Sequence, residues 1–231
     1  MTYIEFIAEE LNSYKTGAPI YTADLADHLA DAFDMKQSKA KATVGVAMKR
    51  IIDRKDCPKL RFYQKGIYYL TASTPFGEVG IDKEQLIQNK YLAHDNGYDT
   101  GYNAVYDLGL TTQMPAERII ATNQAKECLR FDKNLGVYIR PPRTKITQDN
   151  KYYLQMLDVL ELLDKAPVDA EEPYTLLVDY VKKRDLRYDK LLSIAKRYYS
   201  ENTIRELFRF IEADSAHFEN CSFDKSILCI I

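Results

Sequence analysis

Gln37-Ser38-Lys39-Ala40-Lys41-Ala42-Thr43-Val44-Gly45-Val46-Ala47-Met48-Lys49-Arg50, continuing as Ile51-Ile52-Asp53-Arg54, decides the fold. At about 100° per residue, Ala40, Val44, Ala47, Met48 and Ile51 fall on one side of a helix. The opposite side carries Ser38, Lys39, Ala42, Thr43, Val46, Lys49 and Arg50, with Lys36 just ahead of it. Small residues permit close approach, and Lys, Arg, Ser and Thr reach bases or phosphates, so this face suits the major groove of DNA.

Two helices are legible before it. Ile4, Ile7, Ala8 and Leu11 make an apolar stripe between Thr2 and Ser13, and Thr16-Gly17-Ala18-Pro19 breaks the helix. After a very short strand at Ile20-Tyr21, Thr22 is expected to cap a second helix. Its buried stripe is Leu25, Ala26, Leu29, Ala32 and Phe33, and a tight connection at Asp34–Gln37 joins it to the third helix. Beyond Cys57-Pro58, the runs Leu60-Arg61-Phe62-Tyr63 and Ile67-Tyr68-Tyr69-Leu70 flank Gln64-Lys65-Gly66, which is a hairpin signal. Three helices and a hairpin are the order of a winged helix-turn-helix. Its wing tip is expected to offer Arg61, Gln64 and Lys65 to the sugar-phosphate backbone.

Charge follows the same division. The chain has 231 residues, 32 Lys and Arg against 34 Asp and Glu, and a net charge of −2. Residues 1–35 hold one basic and seven acidic side chains, whereas residues 36–65 hold ten basic and two acidic, giving local nets of −6 and +8. Phosphate neutralisation supplies most non-specific affinity for nucleic acid, so the basic segment is the expected footprint. Two plainer accounts stand beside it. Lysines on an exposed helix face serve solvation, and winged helices also serve as protein-interaction modules.

Several chemistries find no support. Cys57, Cys128, Cys221 and Cys229 form no C-x-x-C pair, and His28, His94 and His217 are scattered, so no metal site is indicated and no cofactor is expected. There is no phosphate-cradling glycine loop and no nucleophile elbow. Nucleotidyltransferases of the toxin kind use Gly-Ser followed by closely spaced carboxylates; this chain has no Gly-Ser, and Asp82-Lys83-Glu84 lacks that context. No catalytic role is expected. No apolar run reaches the ~18 residues of a membrane span. The opening Met1-Thr2-Tyr3-Ile4-Glu5 does not read as a signal peptide, so a cytoplasmic location is expected.

The fold class is therefore α+β. A winged helix-turn-helix is expected over residues 1–75, and a mixed α/β domain with a helical C-terminal part over residues 76–231. The turn-rich stretch Thr71–Gly80 reads as the boundary, and Ile81–Asn89 reads as a helix. Asp99 or Thr100 is expected to cap a short helix that Gly109 ends, and Arg118–Asn123 and Leu135–Arg140 read as strands. Tyr98, Tyr102 and Tyr106 fall four residues apart and are expected on one helix face, as core or as an interaction surface. Helices follow at Leu176–Lys183, Tyr188–Tyr199 and Asn202–Ile211, after an apolar stripe from Leu154 to Leu163. The apolar tail Ser226–Ile231 reads as a final strand.

One stretch carries a family resemblance. Gly97-Tyr98-x-x-Gly101, then Ala104, then Gly109-Leu110-Thr111-Thr112-Gln113-x-Pro115, is followed by Ile119-Ile120-Ala121-Thr122-Asn123. The pattern resembles the AbiEi-like antitoxins of type IV toxin–antitoxin systems, and the likeness covers roughly residues 1–145. It implies an N-terminal winged helix that binds and represses its own promoter. It also implies a downstream region that opposes a nucleotidyltransferase toxin in bacterial phage defence by abortive infection, without a stable complex. Repressors of this shape often use paired half-sites, which accords with a homodimer on an inverted repeat. Many relatives carry histidine just before the Gly-Leu-Thr where this chain has Leu108, so no histidine role transfers. Thr111, Thr112 and Gln113 have a structural reading too, as side chains that satisfy loop backbone.

Overall fold

A computed structural model describes residues 1–217, with side chains to residue 214. The tail strand expected at 226–231 lies outside the described residues. The chain is of the α+β class and divides into two units, Met1–Ile87 and Gln88–Ile231.

In the first unit, α1 (Tyr3–Leu11) begins at a capping box. Thr2 accepts from the Glu5 amide, and the Glu5 side chain accepts from the Thr2 amide, so two orphan donors of the first turn are satisfied. Strand β1 (Ile20–Tyr21) leads directly into α2 (Thr22–Phe33). Thr22 is the first helical residue and makes no cap; Tyr21 occupies that position and its side chain does not cap the helix. Asp34 adopts a left-handed conformation, φ 46°, which ends α2 and lets α3 (Gln37–Arg54) begin three residues later. Ala40, Val44, Ala47, Met48 and Ile51 of α3 are buried against Ile7 and Leu11 of α1 and Leu25, Ala26 and Leu29 of α2. Ala32 is exposed rather than buried, and Phe33 is half-buried, with Tyr3 and Phe6 meeting its ring edge-on.

The hairpin pairs β2 (Leu60–Gln64) antiparallel with β3 (Ile67–Leu70) in the register Leu60↔Leu70. Strand β1 adds to the other edge of β3, with Ile20 opposite Tyr68. The stretch 71–80 belongs to this unit instead of ending it. Its turn formers build a second, minimal hairpin, β4 (Ser73–Thr74) with β5 (Gly77–Glu78). The Thr71 hydroxyl donates to the Val79 carbonyl at 2.9 Å, and the Asp82 amide reaches the Gly17 carbonyl at 2.8 Å. The short helix α4 (Lys83–Ile87) closes the unit, so the division falls after residue 87 and not near 75.

The second unit opens with a π-helical turn, Gln88–Leu92, and carries β6 (Gly97–Thr100) and α5 (Tyr102–Asp107). Strands β7 (Ile119–Thr122), β8 (Arg130–Asp132) and β9 (Val137–Arg140) complete a sheet of order β6-β7-β9-β8. Strands β7 and β9 run parallel, while the two edge strands are antiparallel to their neighbours. Helices α6 (Lys151–Leu160), α7 (Pro173–Lys183), α8 (Tyr188–Tyr198) and α9 (Glu201–His217) follow. Their apolar stripes meet α5 in one core: Ala104, Val105, Leu157, Leu177, Leu191 and Phe210.

Candidate nucleic-acid interface

The amphipathic split of α3 positions the first site. Because its inner stripe is fixed in the core, the outer stripe is held toward solvent as one rigid face. Lys36, Ser38, Lys39, Ala42, Val46, Lys49 and Arg50 are all exposed, and Thr43 is half-buried. Other α3 residues outside the expected set, Lys41 and Gly45 among them, are exposed too, and beyond the helix's own backbone and chain neighbours nothing lies within 4 Å of where a Gly45 side chain would begin. The Thr43 hydroxyl donates back to the Lys39 carbonyl at 2.9 Å, so its hydrogen is committed within the helix. Between the start of α1 and this face runs a groove of about 410 Å³, lined by Tyr3, Ile4, Ala42, Thr43, Val46 and Arg50 among others.

The hairpin separates its expected residues. Lys65 is exposed at the turn, and Gln64 is half-buried beside it. Arg61 pairs with Tyr69, away from the turn, and its guanidinium is occupied. It donates to the Pro58 carbonyl at 2.7 Å and to the Glu78 carboxylate at 2.9 Å. The expectation that Arg61 lies at the tip is corrected by this geometry: Arg61 ties the large hairpin to the small one.

No protein-family model matches the chain, and a search of the curated proteins finds no match.

In the second unit, the stretch 97–115 folds differently from its expected pattern. Tyr98 does not share a helix face with Tyr102 and Tyr106. It lies on β6, is only 2 % exposed, and donates to Asp158 at 2.9 Å. Tyr102 is exposed and Tyr106 half-buried on α5. Neither Asp99 nor Thr100 caps α5, whose N-cap is Gly101. Asp99 holds Arg118 at 2.6 and 3.0 Å, while the Thr100 hydroxyl donates to Asp158 at 2.8 Å. Gly109, with φ 71°, follows α5 in the left-handed conformation expected of it. Thr112 donates to Asp169 through both its amide (3.0 Å) and its hydroxyl (2.6 Å), and Thr111 accepts from the Gln113 amide at 3.2 Å.

Asp158, itself 2 % exposed, is the group that sequence reasoning passed over. One carboxylate oxygen accepts from Tyr98, Thr100 and Arg140, and the other from Tyr199 at 2.8 Å. A buried charge is tolerated only when paired and hydrogen-bonded, and here both oxygens are engaged. Burial raises the Tyr98 and Tyr199 phenols above the ordinary tyrosine range, and the Asp158 charge adds to the shift. The arrangement fastens β6 and β9 to α6. Its available signal was a lone aspartate inside the apolar run Met156-Leu157-Asp158-Val159-Leu160. Among the described residues, no three His, Cys, Asp or Glu side chains are grouped to hold a metal, and no helix is long and apolar enough to cross a membrane.

Proposed function

We propose that the first unit is a winged helix-turn-helix that binds double-stranded DNA through α3 and the β2–β3 turn. The carrying observation is the exposed α3 face, where Lys39, Lys49 and Arg50 surround the small or aliphatic Ser38, Ala42, Gly45 and Val46. Cations supply affinity for phosphate, and small side chains let the helix backbone come close to base edges. The test is duplex binding by the full chain in a gel-shift titration across salt. Binding should fall steeply as salt rises, and Lys39→Ala with Arg50→Ala should weaken it; unchanged binding by the double variant refutes this face.

The wider reading is an antitoxin and autorepressor of a type IV toxin–antitoxin operon, acting as a homodimer on an inverted repeat in its own promoter. Its support is the resemblance of residues 97–123 together with the DNA-binding reading. The chain would act without catalysis or cofactor, in the cytoplasm, and oppose a nucleotidyltransferase toxin functionally. Rescue of growth when the chain is co-expressed with such a toxin from the neighbouring reading frame is the deciding experiment.

A second reading, a winged-helix protein-interaction module, is favoured by Phe76. This ring is fully exposed at the tip of β4–β5, a hairpin pinned by Arg61 and by Thr74 donating to the Gly77 carbonyl at 2.7 Å. Rigidly presented aromatic side chains are frequent anchors in protein interfaces.

A further inference from the structure

Where the cations of α3 meet phosphate they do not distinguish one base pair from another, because phosphate contacts carry no sequence information. The side chains that lie between them are placed to meet base edges. Ala42 and Val46 are one turn apart, both exposed, and Val46 is 52 % exposed although it is the largest aliphatic side chain on that face. Lys39 precedes Ala42 by three residues, and Lys49 and Arg50 follow Val46 by three and four, so the apolar pair sits inside a cationic frame. Asp53, one turn beyond Lys49, marks where that frame ends. Tyr3 and Ile4 of α1 wall the groove beside the pair, and the cations before and after it along α3 suit a polyanion with an apolar feature.

On a duplex, that feature is specific. The thymine 5-methyl is the apolar group displayed on base edges in the major groove, and small aliphatic side chains are its usual partners. Valine in a helix is held almost entirely in one χ1 rotamer, so little side-chain freedom is lost when it makes such a contact. The committed Thr43 hydroxyl leaves the Val46 side of the groove without that donor. We infer that Val46, with Ala42, is a specificity-determining element that reads a T·A pair through the thymine methyl. The inference rests on the proposed placement of α3 in the major groove.

The experiment uses the full chain and a random duplex library. The enriched duplex is then remade with each thymine replaced singly by uracil, which removes only the methyl. Loss of one buried methyl corresponds to about four-fold weaker binding, expected at one or two positions. Val46→Ala should shrink the thymine-over-uracil preference at the same position to less than two-fold while keeping the salt slope. Equal binding of thymine and uracil duplexes at every position, with salt-dependent binding intact, overturns this inference and leaves the DNA-binding reading standing. A uracil effect that Val46→Ala does not change also overturns it. Absence of any salt-dependent duplex binding overturns both.

Discussion

Arg140 places its guanidinium 2.5 Å from the carboxylate of Asp158, joining the last residue of β9 to the last turn of α6. Asp158→Ala removes the acceptor shared by Arg140, Tyr98, Thr100 and Tyr199. Breaking a buried pair from one side typically costs about 3–5 kcal/mol, since the remaining charge and hydroxyls lose their partner. Urea unfolding of the variant should show a loss of that order. A loss below about 1 kcal/mol would mean the network is not a source of stability.

The two arginine and lysine positions of the β2–β3 hairpin should behave differently. Lys65→Ala removes an exposed cation at the turn, and the slope of log affinity against log salt for a duplex should fall by about 0.9. Arg61→Ala removes a cation already engaged by Glu78 and Pro58, and its effect on that slope should be smaller. Equal slopes for the two variants would contradict the separation.

Gly45→Ala should stabilise the first unit and weaken duplex binding. Glycine inside a helix costs about 0.5–1 kcal/mol relative to alanine, and apart from its own helix backbone and chain neighbours no atom lies within 4 Å of the added methyl. A gain in thermal midpoint with unchanged duplex affinity would show that no ligand approaches this turn closely.

The second unit should lose stability above about pH 10. The Tyr98 and Tyr199 phenols are raised by burial and by Asp158, and Tyr174 is pushed up to about 12 by burial and its hydrogen bond to Glu206. Below pH 10 both folded and unfolded chains keep these protons, and the contribution is fully present. Above it, the unfolded chain releases them first, so rising pH favours unfolding. Urea midpoints followed by tyrosine-independent circular dichroism from pH 8 to 11 should decline; a flat profile would argue against the shift.

Long periodic elements were legible, and of the short ones β1, α5, β7 and β9 were read while others were not. The three helices of the first unit show a 3.6-residue apolar stripe, and Leu60–Leu70 shows two strands about a glycine turn, so their bounds follow from side-chain chemistry. Strands β4, β5 and β8 have two or three residues, too few for any period to register. Strand β6 was hidden because Gly97-Tyr98-Asp99-Thr100 has turn-like composition. Its identity comes from outside the segment: Tyr98 and Thr100, two residues apart, both reach Asp158. At Gly97, an added Cβ would lie 2.3 Å from the Tyr91 carbonyl oxygen and 2.8 Å from that of Ala121, so glycine permits the close strand approach. Of the expected DNA-facing set, the α3 residues depend on one helix's phase and share one face. Arg61 depended on where along the hairpin the turn begins, and on a second hairpin that no sequence signal announced.

The β2–β3 turn is anchored more firmly than a loop tip normally is. The Gly66 carbonyl accepts from the Thr22 amide at 2.9 Å, and β1 pairs with β3 at Tyr21↔Ile67 beside it. The tip is thereby fastened to the first turn of α2. Fixing a residue's backbone costs about 1–2 kcal/mol, and here that cost is met during folding instead of at each encounter with a ligand. Under the proposed DNA-binding role, association at this edge would be a meeting of two preformed surfaces, with the turn contributing no disorder-to-order step to its thermodynamics.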